Sequence, residues 1–99
     1  MLNINKTIED GKALFALGGR LDTTTAPELE KELKGSLPGV NELTLDFAGL
    51  EYISSAGLRV LLSAQKTMSC KGEMIIKNVN ETIMEIFEVT GFSDILTIE

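Results

Sequence analysis

Histidine and tryptophan are absent from this chain of 99 residues, and Cys70 is its only cysteine. Histidine is the commonest general base and metal ligand, so its absence excludes Ser–His–acid and Cys–His catalytic sets. A single cysteine excludes an internal disulfide and a cysteine-based metal site, and it favours a reducing compartment. Neither glycine-rich phosphate-binding motif occurs in the sequence. We therefore expect no enzymatic activity, no catalytic residues, no metal and no cofactor.

Basic residues are also scarce, with nine Lys and Arg against fifteen Asp and Glu and a net charge of −6. Nucleic acids and anionic lipids both require Lys or Arg to neutralise phosphate, so we expect neither as a partner. No apolar run approaches the roughly 18 residues of a membrane span. The first ten residues, MLNINKTIED, do not have the pattern of a secretory signal. A cytoplasmic location is the expectation.

The apolar residues that are present alternate between strand and helix spacing. Two runs on either side of Asp10-Gly11 predict an N-terminal hairpin. Further strands are predicted at 43–47, 73–79 and 94–99, and helices are predicted after the threonine run at 23–25, over Ser55–Ser69 and after Asn80. The order β-β-α-β-α-β-α-β predicts one α/β domain over residues 1–99. It would have a mixed, mostly parallel sheet of four to five strands and about three helices against it.

A serine pair, Ser54-Ser55, stands where the strand ended by Gly49 leads through a short connection to the second helix. A helix N-terminus has unpaired N–H groups and a partial positive charge, so it suits an anion. The simplest interpretation is that the pair caps the helix. However, Ala56 and Gly57 are small, and a glycine in a first helical turn suggests close approach by another backbone or a partner. The hydroxyls would then be reachable, as a phosphate acceptor must be.

Besides the serine pair, the carboxylates of Asp46 and Asp22 are candidates for function. Asp46 lies in a predicted strand and is either an outward, solvated group or a hydrogen-bonded one. Asp22 and Thr23 follow the second strand, where a strand end and a turn explain them without a function. Because the carboxyl ends of parallel strands meet at one edge of a sheet, we nevertheless expect Asp22 and Thr23 to lie beside Ser55.

Four segments resemble the STAS domain of anti-sigma factor antagonists, and together they cover nearly the whole chain. They are GGRLDTTTAP at 18–27, LTLDFAGLEYISSAGLRVLL at 43–62, GEMIIKNV at 72–79 and EIFEVTGFSDI at 85–95. The resemblance implies a STAS-like fold and a partner, a cytoplasmic serine kinase that is also an anti-sigma factor. Such antagonists bind the kinase and free the sigma factor. Phosphorylation of a serine at the start of the helix after the third strand ends binding, and a serine phosphatase restores it.

The family stretch often reads Asp-Ser-Ser/Thr-Gly-Leu, and its positions can be carried over one by one. Ser54 falls at the Asp position, Ser55 at the acceptor and Ala56 at the second hydroxyl, while Gly57 and Leu58 match. The resemblance thus implies phosphorylation at Ser55, with Ser54 as the second choice because it adds a competing hydroxyl. It also implies a partner-binding surface, made of Asp22, Thr23, Ser54, Ser55 and Gly57.

Many relatives continue past the last strand into a further helix, whereas this sequence ends at Glu99. We therefore expect one face of the sheet to be covered less well, or to be covered by a partner. The free protein is expected to be a monomer. The alternative function is a STAS scaffold or signalling subunit of another partner-switching or transport complex, in which the serine pair is only a helix cap.

Overall fold

A computed structural model describes residues 2–99 and places five strands in one sheet, in the order β1-β2-β3-β4-β5. β1 and β2 are antiparallel, and every later pair is parallel. Along the chain the elements are β1 (Leu2–Glu9), β2 (Lys12–Leu21), α1 (Ala26–Ser36), β3 (Glu42–Ile53), α2 (Ser55–Ser69), β4 (Glu73–Lys77), α3 (Glu81–Thr90), a 3₁₀ turn (Phe92–Asp94) and β5 (Thr97–Ile98). The predicted order, the mixed sheet and the three helices are confirmed.

All three helices pack on the same face of the sheet. Each parallel crossover leads to the next strand in the same direction, and right-handed crossovers of that kind place every helix on one side. The core lies between the layers, where the rings of Phe47 from β3 and Phe87 from α3 are 6.4 Å apart. The opposite face, which includes Lys12, Leu14 and Thr44, lies open, and Leu14 is 42% exposed. The chain therefore folds into two layers, the sheet and a single layer of helices.

Strand β3 is longer than the sequence predicts. Gly49 does not end it, because β3 continues to Ile53 and stays paired with β2. Two register shifts interrupt that pairing, and buried residues then fall at Phe47, Leu50 and Ile53, three apart instead of two. A β-bulge changes the alternation of side chains in this way, so a period-two pattern cannot follow the strand through it. The predicted end at Phe47 was wrong for that reason.

The last strand is shorter than predicted, since residues 94–99 do not all pair with β4. Phe92–Asp94 form a 3₁₀ turn, and the amide of Leu96 donates to the carbonyl of Phe92 at 2.8 Å. Only Thr97 and Ile98 are bonded to β4 as a strand. A tight turn directly after α3 leaves the chain too few residues to form a full strand.

In the β4–α3 connection, the start of the helix agrees with the sequence-based prediction, whereas the end of the strand does not. β4 ends two residues before the predicted Val79 because Asn78 has φ +59° and turns the chain. Asn80 caps α3 as predicted, and its Oδ1 accepts from the amide of Ile83 at 2.8 Å.

None of the helices within residues 2–99 is long and apolar enough to cross a membrane.

Gly72 is required where the chain passes from α2 into β4. A Cβ at this position would overlap the carbonyl oxygen of Asn41 and lie 2.7 Å from its carbonyl carbon. We expect Gly72→Ala to lower the free energy of unfolding by about 3 kcal/mol or more, because backbone must move. Gly35→Ala is the matched control, since nothing lies within 4 Å of its Cβ position near the end of α1. It should raise stability by up to roughly 1 kcal/mol. Urea denaturation measures both, and a Gly72→Ala protein as stable as wild type would contradict the packing described.

Candidate functional site

The two serines at the start of α2 have different surroundings. Ser54 is the N-cap, with φ −100° and ψ 175°, and its Oγ accepts from the amide of Gly57 at 3.4 Å. Ser55 is the first helical residue and is exposed. Within residues 2–99 its hydroxyl takes part in no hydrogen bond. The capping interpretation therefore accounts for Ser54 and leaves the hydroxyl of Ser55 available for chemistry.

The backbone around Ser55 offers donors to an anion. The carbonyl of Ser54 accepts from the amide of Leu58 at 3.0 Å, and the Ser54 side chain takes the amide of Gly57. The amides of Ser55 and Ala56 have no acceptor among residues 2–99. The first turn of α2 also contains no acidic residue. A phosphate on Ser55 would thus lie at the positive end of the helix dipole, beside unpaired N–H groups.

The ends of β2 and β3 hold this helix start in place. Leu21 pairs with Ile53, and the amide of Ser54 donates to the carbonyl of Leu21 at 2.8 Å. Gly57 is buried against both strands, since a Cβ there would lie 2.7 Å from Leu21 Cγ and 2.8 Å from Ile53 Cγ1. The close approach that the sequence suggested at Gly57 is thus made by side chains of the chain's own core. Its role in partner binding remains a prediction.

Asp22 organises the loop that follows β2. Its Oδ1 accepts from the hydroxyl of Thr24 at 2.8 Å and from the amides of Thr24 and Thr25 at 3.0 and 3.1 Å. These bonds, the Thr24 hydroxyl first, lower the pKa of the Asp22 carboxyl. The threonine run provides the N-cap residue of α1 but no side-chain cap bond. Thr25 stands at the N-cap without a side-chain cap bond, because its hydroxyl donates to the carbonyl of Arg20 at 2.8 Å.

The β2–α1 loop and the start of α2 share a groove of about 260 Å³. Thr23 and Pro27 line it from the loop and α1, and Ala56 and Arg59 line it from α2. Thr23 is exposed, and Ser55, which precedes Ala56 in the chain, does not itself line the groove. The structure thus brings Thr23 and the start of α2, with Ser54 and Ser55, to the same edge of the sheet, as the strand order predicts.

Sequence reasoning did not single out three residues near this edge. The guanidinium carbon of Arg20 lies 4.5 Å from the centroid of the Tyr52 ring, and the two residues are register partners across β2 and β3. Arg20 Nε also lies 3.8 Å from Asp22 Oδ2, an exposed and long ion pair that contributes little. Arg59 lines the groove. Its spacing of four from Ser55 was visible in the sequence, whereas the stacking of Arg20 on Tyr52 required the strand register.

Of the two alternatives for Asp46, the structure shows the hydrogen-bonded one. Its Oδ1 accepts from Nδ2 of Asn78 and from the amide of Ala48, both at 2.9 Å. The Asn78 bond is the main cause of the lowered pKa of Asp46. Asp46 therefore joins β3 to the turn after β4 and does not take part in the edge that carries Ser55.

Comparison with known proteins identifies the family of this chain. The STAS domain family model matches residues 3–99. This chain belongs to the STAS domain family. An anti-sigma-B factor antagonist of Staphylococcus aureus is 31% identical to this STAS domain over 97 residues, covering 96% of the chain and 90% of that protein. BtrV of Bordetella bronchiseptica is 36% identical over 91 residues, covering 90% and 78%. The family resemblance of the sequence is confirmed.

Solved structures share the fold at lower sequence identity. An anti-sigma factor antagonist from Mycobacterium paratuberculosis superposes with a TM-score of 0.89 at 18% identity, covering 99% of this chain and 85% of that one. The phosphorylated form of the Bacillus cell fate determinant SpoIIAA superposes with a TM-score of 0.75 at 16% identity, covering 100% and 91%. The predicted STAS fold is therefore confirmed.

Gly57 provides a test of how the start of α2 packs against β2 and β3. We expect Gly57→Ala to lower the free energy of unfolding by about 1–3 kcal/mol, because its methyl group must displace the side chains of Leu21 and Ile53. Ala56→Gly is the neighbouring control, which removes a methyl from a half-buried position on the same turn and should cost about 1 kcal/mol or less. Thermal denaturation of the two variants measures both changes in stability. An unchanged melting temperature for Gly57→Ala would show that the helix start is not packed as described.

The Asp22 loop should make stability depend on pH. Because folding lowers the pKa of this carboxyl, its stabilising effect is fully present above the unfolded value of about 3.9 and is lost as pH falls through the folded value. We expect Asp22→Asn to be less stable than wild type at pH 7, with a smaller difference near pH 3. Urea denaturation at both pH values measures the difference. A gap of equal size at both would mean that the carboxylate charge does not hold the loop.

Proposed function

We propose that this STAS domain is an anti-sigma factor antagonist switched by phosphorylation at Ser55. In its unphosphorylated form it binds a cytoplasmic serine kinase that acts as an anti-sigma factor, and the sigma factor is released. The phosphorylated form dissociates from the kinase, and a serine phosphatase removes the phosphate. The observation that carries the proposal is the exposed hydroxyl of Ser55, which makes no hydrogen bond within residues 2–99 at the first residue of α2. Relatives named as antagonists support the partner class.

The chemistry belongs to the kinase, and this domain supplies the acceptor. The Ser55 hydroxyl gives its proton to a base of the kinase, its Oγ bonds to the γ-phosphorus of ATP, and the bond from that phosphorus to ADP breaks. An exposed hydroxyl at the very start of a helix can enter another active site without unfolding its own domain. Ser54 is less suited to this role because its Oγ is engaged with the amide of Gly57.

The switch acts on the interface and leaves the fold intact. A phosphate adds about −1.5 to −2 charges and three acceptor oxygens, and the free amides at the start of α2 accommodate them. The partner surface consists of Asp22, Thr23, Ser54, Ser55 and Gly57, the last acting through the turn that it allows. A loss of a few kcal/mol on that surface weakens binding by two or more decades. SpoIIAA, which shares the fold, is known in a phosphorylated form.

Phosphorylation by an anti-sigma serine kinase from the same genome tests the acceptor. With ATP, intact mass should show one added phosphate on wild type and on Ser54→Ala, and none on Ser55→Ala. Ser54→Ala should lose about 0.5–1 kcal/mol of stability with its cap, whereas Ser55→Ala should stay within about 0.5 kcal/mol of wild type. A phosphate that moves to Ser54 would overturn the assignment. No phosphate on any of the three would favour the scaffold function, with the pair as a helix cap.

A further inference from the structure

Arg59 is an exposed cation four residues after Ser55. It lies on α2 and lines the groove that Thr23 and Ala56 also line. Four of the eight other Lys and Arg residues, namely Lys6, Lys12, Arg20 and Lys34, each have a carboxylate within 4.0 Å. Among residues 2–99, Arg59 has none at that distance. Its charge is therefore available to an anion that arrives nearby.

The position of Arg59 relative to Ser55 suits a phosphate. Residues four apart on a helix are neighbours, with Cβ atoms about 5–6 Å apart, and an anion that precedes a cation is the favourable orientation. The guanidinium presents planar paired donors that match phosphate oxygens, as a lysine ammonium does not. A phosphate on Ser55 could thus accept from the helix amides on one side and from Arg59 on the other.

We propose that Arg59 holds the phosphate on Ser55 across the first turn of α2. The inference rests on the proposed function, in which Ser55 is the residue that carries the phosphate. Before phosphorylation, Arg59 is a free cation on the partner-facing edge. After phosphorylation it is drawn into a pair within the helix, so the partner meets an added anion and also loses a cation.

The carboxylate that lines this groove and the one in the adjoining loop both leave Arg59 available. Glu30 of α1 lines the groove, and its Oε1 lies 3.3 Å from Nζ of Lys34 on the next turn. Asp22, in the neighbouring loop, accepts hydrogen bonds from Thr24 and Thr25. Both acids already have donors, whereas a new phosphate on α2 would have Arg59 as the cation on its own helix face.

The test uses the full chain with phosphoserine incorporated at position 55 during translation, so that no kinase is needed. Phosphorus NMR then gives the second pKa of the phosphate in wild type and in Arg59→Gln. We expect Arg59→Gln to raise that pKa by about 0.3 unit or more, since the dianion loses its cation. Arg59→Lys should recover part of the shift. Lys66→Gln, an exposed cation farther along α2, is the matched control and should leave the pKa unchanged.

An unchanged phosphate pKa in Arg59→Gln, or an equal shift in Lys66→Gln, would overturn the role of Arg59. Far-UV circular dichroism checks that each variant is folded, which the exposure of both side chains leads us to expect. The result is separable from the proposed function, because the phosphate is present whether or not a kinase recognises Ser55. A kinase that ignores Ser55 would refute the proposed function and leave the titration as it stands.

Discussion

One short connection determines the rest of the site, namely the pairing of Leu21 with Ile53 and the hydrogen bond from the amide of Ser54 to the carbonyl of Leu21. It joins the ends of β2 and β3, so the loop after one strand and the helix after the other begin at the same edge. Gly57 lets α2 rest directly on those two side chains. The hydroxyl of Ser55 is thereby fixed at the surface by the core beneath it.

The sequence predicted those parts of the fold that depend on local chemistry. Alternating apolar residues gave the order of elements, and Asn80 and Ser54 cap the helices that their positions suggest. The end of β3 was misplaced because a bulge is a property of two paired strands. Gly57 indicated a close approach from the sequence alone, but the side chains that make it, those of Leu21 and Ile53, come together there only in the folded structure. Strand order therefore predicted that the loop after β2 and the start of α2 share an edge, while the packing that shapes this edge depends on contacts between residues far apart in the chain.

A switch on such an edge can work without changing the fold. Ser55 is exposed, its neighbouring amides have no acceptor within residues 2–99, and the first turn of α2 carries no acidic side chain. A phosphate would therefore be stabilised locally by dipole and donors while it changes the surface that a partner meets. Arg59 would add a second effect, because its pairing with the phosphate would remove a cation from the interface while the phosphate adds an anion.

The most direct test measures affinity and structure on the same two samples, unphosphorylated protein and protein phosphorylated at Ser55. Calorimetric titration with the partner kinase should give a dissociation constant about a hundredfold or more higher for the phosphorylated form. Backbone amide NMR shifts should change only at the start of α2 and in the loop after β2. Equal affinities would contradict the account, and so would a loss of affinity accompanied by shift changes throughout the sheet.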